Sequence, residues 1–324
     1  MKTNAIVRIV LYSIAILLLA GILVVGLAAD LFITDTSSYV ENLPVAFDGE
    51  TSHGALGAED IMNLDIDWVS GSITILHDEQ TDQISIAETG CDNEKYAMVY
   101  SKTGNTLNIQ YCKEPIKFSS FGINVNISKD LIITVPADWT CNELSIETAS
   151  ADVNIIDLKI NEVEFNCASG VCYFENCTVD ELSMDTASGN LEFTGVLYNL
   201  DFDGASADAM VNVSNIPTRI EMDSASGDLE LYLPENCGFT CELTSLSGDF
   251  ESDFDTTTRN DRHIYGDGSC KISVDAMSGN IFIHKHEVSS EVPDCTEFFC
   301  TDSSHNHSNI FADNDHEHSG NHHD

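Results

Sequence analysis

Two nine-residue stretches decide the fold: LSMDTASGN at Leu182–Asn190 and IEMDSASGD at Ile220–Asp228. In each, apolar or small residues alternate with polar ones up to a serine, and a Gly-Asn or Gly-Asp step follows. Period-two alternation marks a strand with one buried face. The Ser-Gly-Asp/Asn step reads as a corner, because glycine tolerates positive φ and Asp or Asn tolerates it better than most residues. Further copies surround these two: LSIETASAD from Leu144, VEFNCASGV from Val163, LDFDGASAD from Leu200, CELTSLSGD from Cys241 and ISVDAMSGN from Ile272. The shared serines are Ser150, Ser169, Ser188, Ser206, Ser226, Ser247 and Ser278, so the steps are 19, 19, 18, 20, 21 and 31 residues. The last step carries the insertion DFDTTTRNDRHIYGDGS. Degenerate copies stand at Trp68-Val69-Ser70-Gly71-Ser72 and Ser101-Lys102-Thr103-Gly104-Asn105.

One unit is too small to bury its own apolar face, whereas stacked units bury it collectively. The even period therefore predicts an all-β fold, a stacked, β-helix-like solenoid, over residues 141–285. A less regular β portion precedes it at 59–140. A meander of hairpins is the alternative, since Gly-Asp and Gly-Asn also suit two-residue hairpin turns.

Upstream, Ile9 to Ala29 is free of charge, with Lys2 and Arg8 before it and Asp30 after it. About 20 apolar residues span a bilayer as a helix. The basic flank predicts a single-pass chain at the cell membrane, with residues 1–8 in the cytoplasm and the bulk outside. A cleaved signal peptide ending at Gly26-Leu27-Ala28 is the alternative, and it exports the same residues. Residues 30–58 read as a stalk. From 286 to 324 the apolar period is gone, and a disordered His/Asp-rich tail is expected.

The chain carries 54 Asp and Glu against 13 Lys and Arg, a formal net charge of −41. Nucleic acid and anionic membrane surfaces require a basic face, so the charge speaks against both as partners. Cations and basic partners are favoured. Nucleophile-elbow, P-loop and dinucleotide-binding patterns are absent, which argues against an enzyme. A polysaccharide-acting β-helix enzyme stays as a third reading.

The strand–Ser-Ala-Ser-Gly-Asp–strand units, best seen in TASGN at Thr186–Asn190 and SASGD at Ser224–Asp228, stand behind an N-terminal apolar segment. In this the chain resembles the bacterial "putative adhesin" β-strand-repeat family of unknown function, over roughly residues 60–285. The resemblance implies a β-solenoid at the cell envelope that meets an envelope, glycan or protein ligand without turnover, and it carries no catalytic residues over.

Three groups of side chains are candidates for chemistry. Three places before each serine stand Glu147, Asn166, Asp185, Asp203, Asp223, Thr244 and Asp275. Stacking puts them in one acidic row, where Asp185, Asp203, Asp223 and Asp275 could take calcium, which relieves like-charge repulsion. A turn row holds Asp152, Asn190, Asp208, Asp228, Asp249 and Asn280, where corner geometry is the plainer reason for the residue type. The tail gathers His305, His307, His316, His318, His322 and His323, a composition suited to zinc or nickel as well as to a simple solvated terminus. Cysteines number 11, an odd count. Cys167 and Cys241 fall at inward positions, which favours core filling. Cys91 with Cys112, Cys237 with Cys270 and Cys295 with Cys300 are the candidate pairs. No cofactor is required by any of these readings.

Overall fold

The structure is a computed structural model and describes residues 43, 45–47, 51–113 and 128–286. Among them the regular elements are strands and two short 3-10 turns, Ala58–Asp60 and Glu94–Tyr96. The copies pair in parallel and in register: Leu144 opposite Val163, Ile146 opposite Phe165 and Thr148 opposite Cys167. The same holds for Leu64 with Leu144 and Ser70 with Ser150, and for Ile220 with Leu200 and Ser226 with Ser206. Parallel pairing between neighbouring copies requires a crossover rather than a tight hairpin. The regular repeat is therefore a stack of coils, and the hairpin meander is excluded there.

Each coil is two strands joined at its serine, and the corner follows from a change of parity. In the Ser150 coil the inward residues are Leu144, Ile146 and Thr148, then Ala151, Val153 and Ile155, all buried. Two successive residues, Ala149 and Ser150, point away from the core between these sets. Strict alternation is broken once, and the chain turns there while its backbone ladder to the next coil continues. Thus Ala207 N–H bonds Ser226 O at 3.0 Å, and Ala209 N–H bonds Asp228 O at 3.0 Å.

The coils do not stack in sequence order. Arg219–Ser226 lies beside Cys270–Ser278, and Phe239–Ser247 lies on the far side of Cys270–Ser278. Their second strands agree: Leu229–Pro234 pairs with Ile281–His286, which carries Phe250–Ser252 on its other edge. The Ser278 coil is thus inserted between the Ser226 and Ser247 coils. The 31-residue step is the length of chain that makes this possible: Thr257–Arg259 and Arg262–Tyr265 form a hairpin, and Arg262–Tyr265 runs antiparallel along Phe239–Glu242, covering that edge.

The other end is built alike. Asn63–Asp78 has the Ser150 coil on one side and Thr106–Gln110 with Lys129–Pro136 on the other. Antiparallel strands cover that outer layer, Val99–Thr103 on Thr106–Gln110 and Gln83–Thr89 on Lys129–Pro136. Thr51–Gly57 then pairs with Gln83–Thr89.

Three expectations are corrected here. The stack begins at Asn63 and crosses the boundary expected at residue 140. Thr51–Gly57, expected in a stalk, is a sheet strand. The degenerate copy Trp68–Ser72 is a true corner, but Ser101–Asn105 is the turn of the antiparallel pair Val99–Thr103 and Thr106–Gln110. The segment Ile9 to Ala29 lies outside the described residues. Within them no helix is long and apolar enough to cross a membrane.

Two side-chain devices set the stacking. At five places along the turn row an Asp or Asn accepts the backbone N–H of the neighbouring coil. Asp152 Oδ1 accepts from Val171 at 3.0 Å, Asn190 from Asp208 at 3.1 Å, Asp208 from Asp228 at 2.8 Å, Asp228 from Asn280 at 2.7 Å, and Asn280 from Asp249 at 3.0 Å. The order 208, 228, 280, 249 is the spatial one. The corner glycines serve close approach more than positive φ. A Cβ on Gly227 would meet Ala207 O at 1.8 Å, and one on Gly279 would meet Gly227 O at 2.3 Å.

The outer N-terminal layer is pinned by a buried ion pair. Lys129 and Glu88 are both 0% exposed, with Nζ 2.5 Å from Oε2. The ammonium also donates to the carbonyls of Tyr96 and Tyr111 and lies 3.8 Å from the centre of the Tyr111 ring. Glu88 Oε1 accepts from Ser52 Oγ and Met98 N–H, each at 2.8 Å. Burial lowers the Lys129 pKa, opposed by the Glu88 charge. A buried pair so fully bonded joins five chain segments, and removing one partner costs about 3–5 kcal/mol.

The non-sequential order is testable through the turn row. Asp228→Ala removes the bonds from Asn280 N–H and Nδ2, and Asn280→Ala removes that Nδ2 bond and the one from Asp249 N–H, at about 1 kcal/mol per bond. In urea melts of the double variant the losses should fall short of their sum by roughly 0.5 kcal/mol or more, as for residues in contact. Asp228→Ala with Asp249→Ala should be closer to additive. Coupling of 228 with 249 and none with 280 would restore a stack in sequence order.

Candidate functional site

The strands before the corners form one sheet, and its outward face carries two acidic rows. In spatial order the row three places before the serine reads Gln110, Asp67, Glu147, Asn166, Asp185, Asp203, Asp223, Asp275 and Thr244. The expected members Asp185, Asp203, Asp223 and Asp275 therefore stand together. The correction is that Asp275 adjoins Asp223 and Thr244 ends the row. A second row lies two residues farther from the corner and includes Asp65, Glu164, Asp201, Glu221 and Glu242. Sequence reading passed over this row, although its signal was available as the residue five places before each serine.

Neighbouring coils repeat at about 4.8 Å, so carboxylates in a row cannot separate. The consequences appear in their proton affinities. Asp203 is pushed up to about 7, by burial first and then by Asp223, Asp185 and Asp201. Asp223 rises to about 6, by burial and then by Asp275, Asp201 and Glu221. Asp65 rises to about 6, by burial and then by Asp67 and Glu143. Asp185 is raised by burial, then by Asp201 and Glu164.

Basic side chains meet this face toward one end. Arg219 Nη1 lies 2.8 Å from Glu221 Oε2, and Arg262 Nε 2.8 Å from Glu242 Oε2. Among the described residues no three His, Cys, Asp or Glu side chains converge as a metal cage would require. The rows are a linear field of negative charge. Such a field can concentrate cations, orient a basic or cation-bridged ligand along the stack, and take up protons.

The turn row does a different job, since its Oδ1 atoms hold backbone N–H groups as described above. His305, His307, His316, His318, His322 and His323, with Cys295 and Cys300, lie outside the described residues. His284 and His286 belong to the inserted coil. His284 Nδ1 and Nε2 lie 3.3 Å from Asp253 and Glu230 respectively, and its ring stacks on Tyr232. Cys141, Cys167, Cys172, Cys177, Cys237, Cys241 and Cys270 are all buried. Cys167 bonds Thr186 Oγ1 at 3.2 Å, and burial pushes the Cys167 and Cys177 thiols up to about 11. Core filling, the expectation for Cys167 and Cys241, describes their setting.

A family model described as Toastrack DUF4097 matches residues 61–284. Among solved structures, the chain is similar to a "putative adhesin" from Bacteroides fragilis NCTC 9343, at 15% identity and a TM-score of 0.43, covering 74% of this chain and 98% of that one. It is also similar to a "putative cell adhesion protein" from Clostridium sporogenes ATCC 15579, at 11% identity and a TM-score of 0.36, covering 74% and 100%. A third is a "putative lipid binding protein" from Parabacteroides distasonis ATCC 8503, at 17% identity and a TM-score of 0.37, covering 74% and 98%. No curated protein matches.

The raised carboxylates fix the sign of a pH effect. An aspartate whose folded pKa is about 7, against the ordinary 3.8, binds a proton in the folded state that the unfolded chain has released. Stability then falls as pH rises between those values and levels off above them. The melting temperature should rise by a few degrees as pH is lowered from about 8 to about 5.5. Asp203→Asn should raise it at pH 8 and flatten the profile. Calorimetry checks this; a melting temperature that falls on acidification would contradict it.

Proposed function

The chain belongs to the Toastrack DUF4097 family, and we propose that it acts as a membrane-anchored, extracytoplasmic β-stack for adhesion or cell-envelope interaction, without turnover. One observation carries the reading: the acidic rows form a long, outward, regularly spaced array on a rigid stack, with no converging metal cage among the described residues. Stacked coils present extended surfaces suited to extended ligands. A face of this charge selects basic segments of a protein partner, or glycans and envelope polymers bridged by cations. The anchor is Ile9 to Ala29, with the N-terminus in the cytoplasm.

A second reading is extracytoplasmic capture of divalent metal by the rows and the His-rich tail. The half-buried carboxylates favour it, because a cation would relieve the burial and repulsion that raise Asp203 and Asp223. Zinc or nickel would suit the tail, and calcium the rows. A polysaccharide-acting enzyme stays as the third.

The test is binding of the full-length protein in liposomes to envelope fractions and intact cells. Asp185→Asn, Asp203→Asn, Asp223→Asn and Asp275→Asn combined should weaken binding at least tenfold without loss of melting temperature. Truncation after His286 should leave binding unchanged. Unchanged binding by the combined variant would sink the role of the face. Loss of zinc or nickel binding on truncation would favour metal capture, and consumption of a polymer would favour the enzyme.

A further inference from the structure

Cys237 and Cys270 are far apart in sequence, yet each stands at the start of one of the two reordered coils. Cys237 precedes Phe239–Ser247, and Cys270 opens Cys270–Ser278. These strands are neighbours, with Phe239 opposite Cys270. Cys270 N–H donates to Gly238 O at 2.9 Å, and Cys237 N–H to Pro234 O at 2.8 Å. Both cysteines are 0% exposed, and each side chain is near enough to shift the proton affinity of the other. In a stack built in sequence order the Cys270 coil would still neighbour the Cys237 coil, but not the Ser226 coil. Inserted as it is, a bond between the two sulfurs would tie the outer coil to the one that the Ser226 coil holds.

We propose that Cys237 and Cys270 are a disulfide pair that locks the inserted coil to the outermost one. The proposal rests on the extracytoplasmic placement given above, because such bonds persist in oxidising compartments. The bond would close a loop that contains the hairpin of Thr257–Arg259 and Arg262–Tyr265.

The chemistry is thiol–disulfide exchange with an external disulfide. The thiolate of one cysteine attacks one sulfur of the external disulfide, forming a mixed disulfide and releasing one thiolate. The other cysteine loses its proton and attacks the sulfur of the first, expelling the second thiolate. Two S–H bonds give way to one S–S bond, and two electrons and two protons pass to the reagent, which leaves as two thiols. Both sulfurs are enclosed in the finished fold, so exchange takes place while the end coils assemble or transiently open.

The test uses the full chain, unfolded with reductant and refolded in reduced and oxidised glutathione, then alkylated and digested without reduction. Mass spectrometry should find the Cys237 and Cys270 peptides linked in most molecules. Reduction should lower the melting temperature by roughly 5–15 °C, and Cys270→Ser should be insensitive to reduction. Recovery of both cysteines alkylated, or linked mainly to other cysteines, would overturn the pair. The same mapping on protein from cell membranes separates the two ideas. A pair linked in the glutathione buffer but free in cells would count against the extracytoplasmic placement and leave the pairing intact.

Discussion

The parallel backbone ladder between coils is the interaction on which the rest of this structure depends. One coil alone leaves its N–H and C=O groups without partners and its apolar residues half covered. The next coil supplies both, in register, and at the corners Asp and Asn side chains take up N–H groups that the backbone ladder leaves. Two neighbouring requirements follow there. The backbone comes so close that a Cβ at Gly227 or Gly279 would collide with the carbonyl of the adjoining coil. The N–H groups at the turn row are taken by Asp or Asn of the coil before. Burial of Leu, Ile, Phe and Val sets which residues face inward, at about 1.5–3 kcal/mol for each fully buried side chain. The Asx bonds, worth about 1 kcal/mol apiece, act on register.

A stack held by ladders has two open edges, and unpaired edges invite pairing with other chains. At each end this protein places a coil out of sequence order and lays an antiparallel strand along it. Arg262–Tyr265 serves one end, and Val99–Thr103 with Gln83–Thr89 the other. Stacking has a cost on the outward face, where identical positions bring like charges within one coil spacing. The raised proton affinities of Asp203 and Asp223 are its signature. The same constraint that makes the face regular makes it sensitive to protons and cations.

Strand parity, the corners and the acidic row were legible in the sequence because each is a local rule repeated at a fixed step. Leu182, Met184 and Thr186 announce a buried face without knowledge of the neighbours. Coil order was not legible, since the nine residues around Ser247 and Ser278 say that two coils exist but not which one touches Ser226. The hints were the 31-residue step, Thr244 in place of an acid, and Leu246 and Met277 in place of the alanine of the five corners before them. The Ser101–Asn105 stretch was misread because Thr-Gly-Asn satisfies a hairpin turn as well as a corner. Lys129 with Glu88 left no trace in sequence, because a buried ion pair joining distant segments has no local pattern.

Amide hydrogen exchange tests the central claim of coils stacked out of sequence order. The account predicts that Ile281–His286, held between Leu229–Pro234 and Phe250–Ser252, exchanges at least tenfold more slowly than Phe250–Ser252 at the edge, although it comes later in the chain. Faster exchange in Ile281–His286 than in Phe250–Ser252, as expected for the outermost coil of a sequential stack, would contradict it.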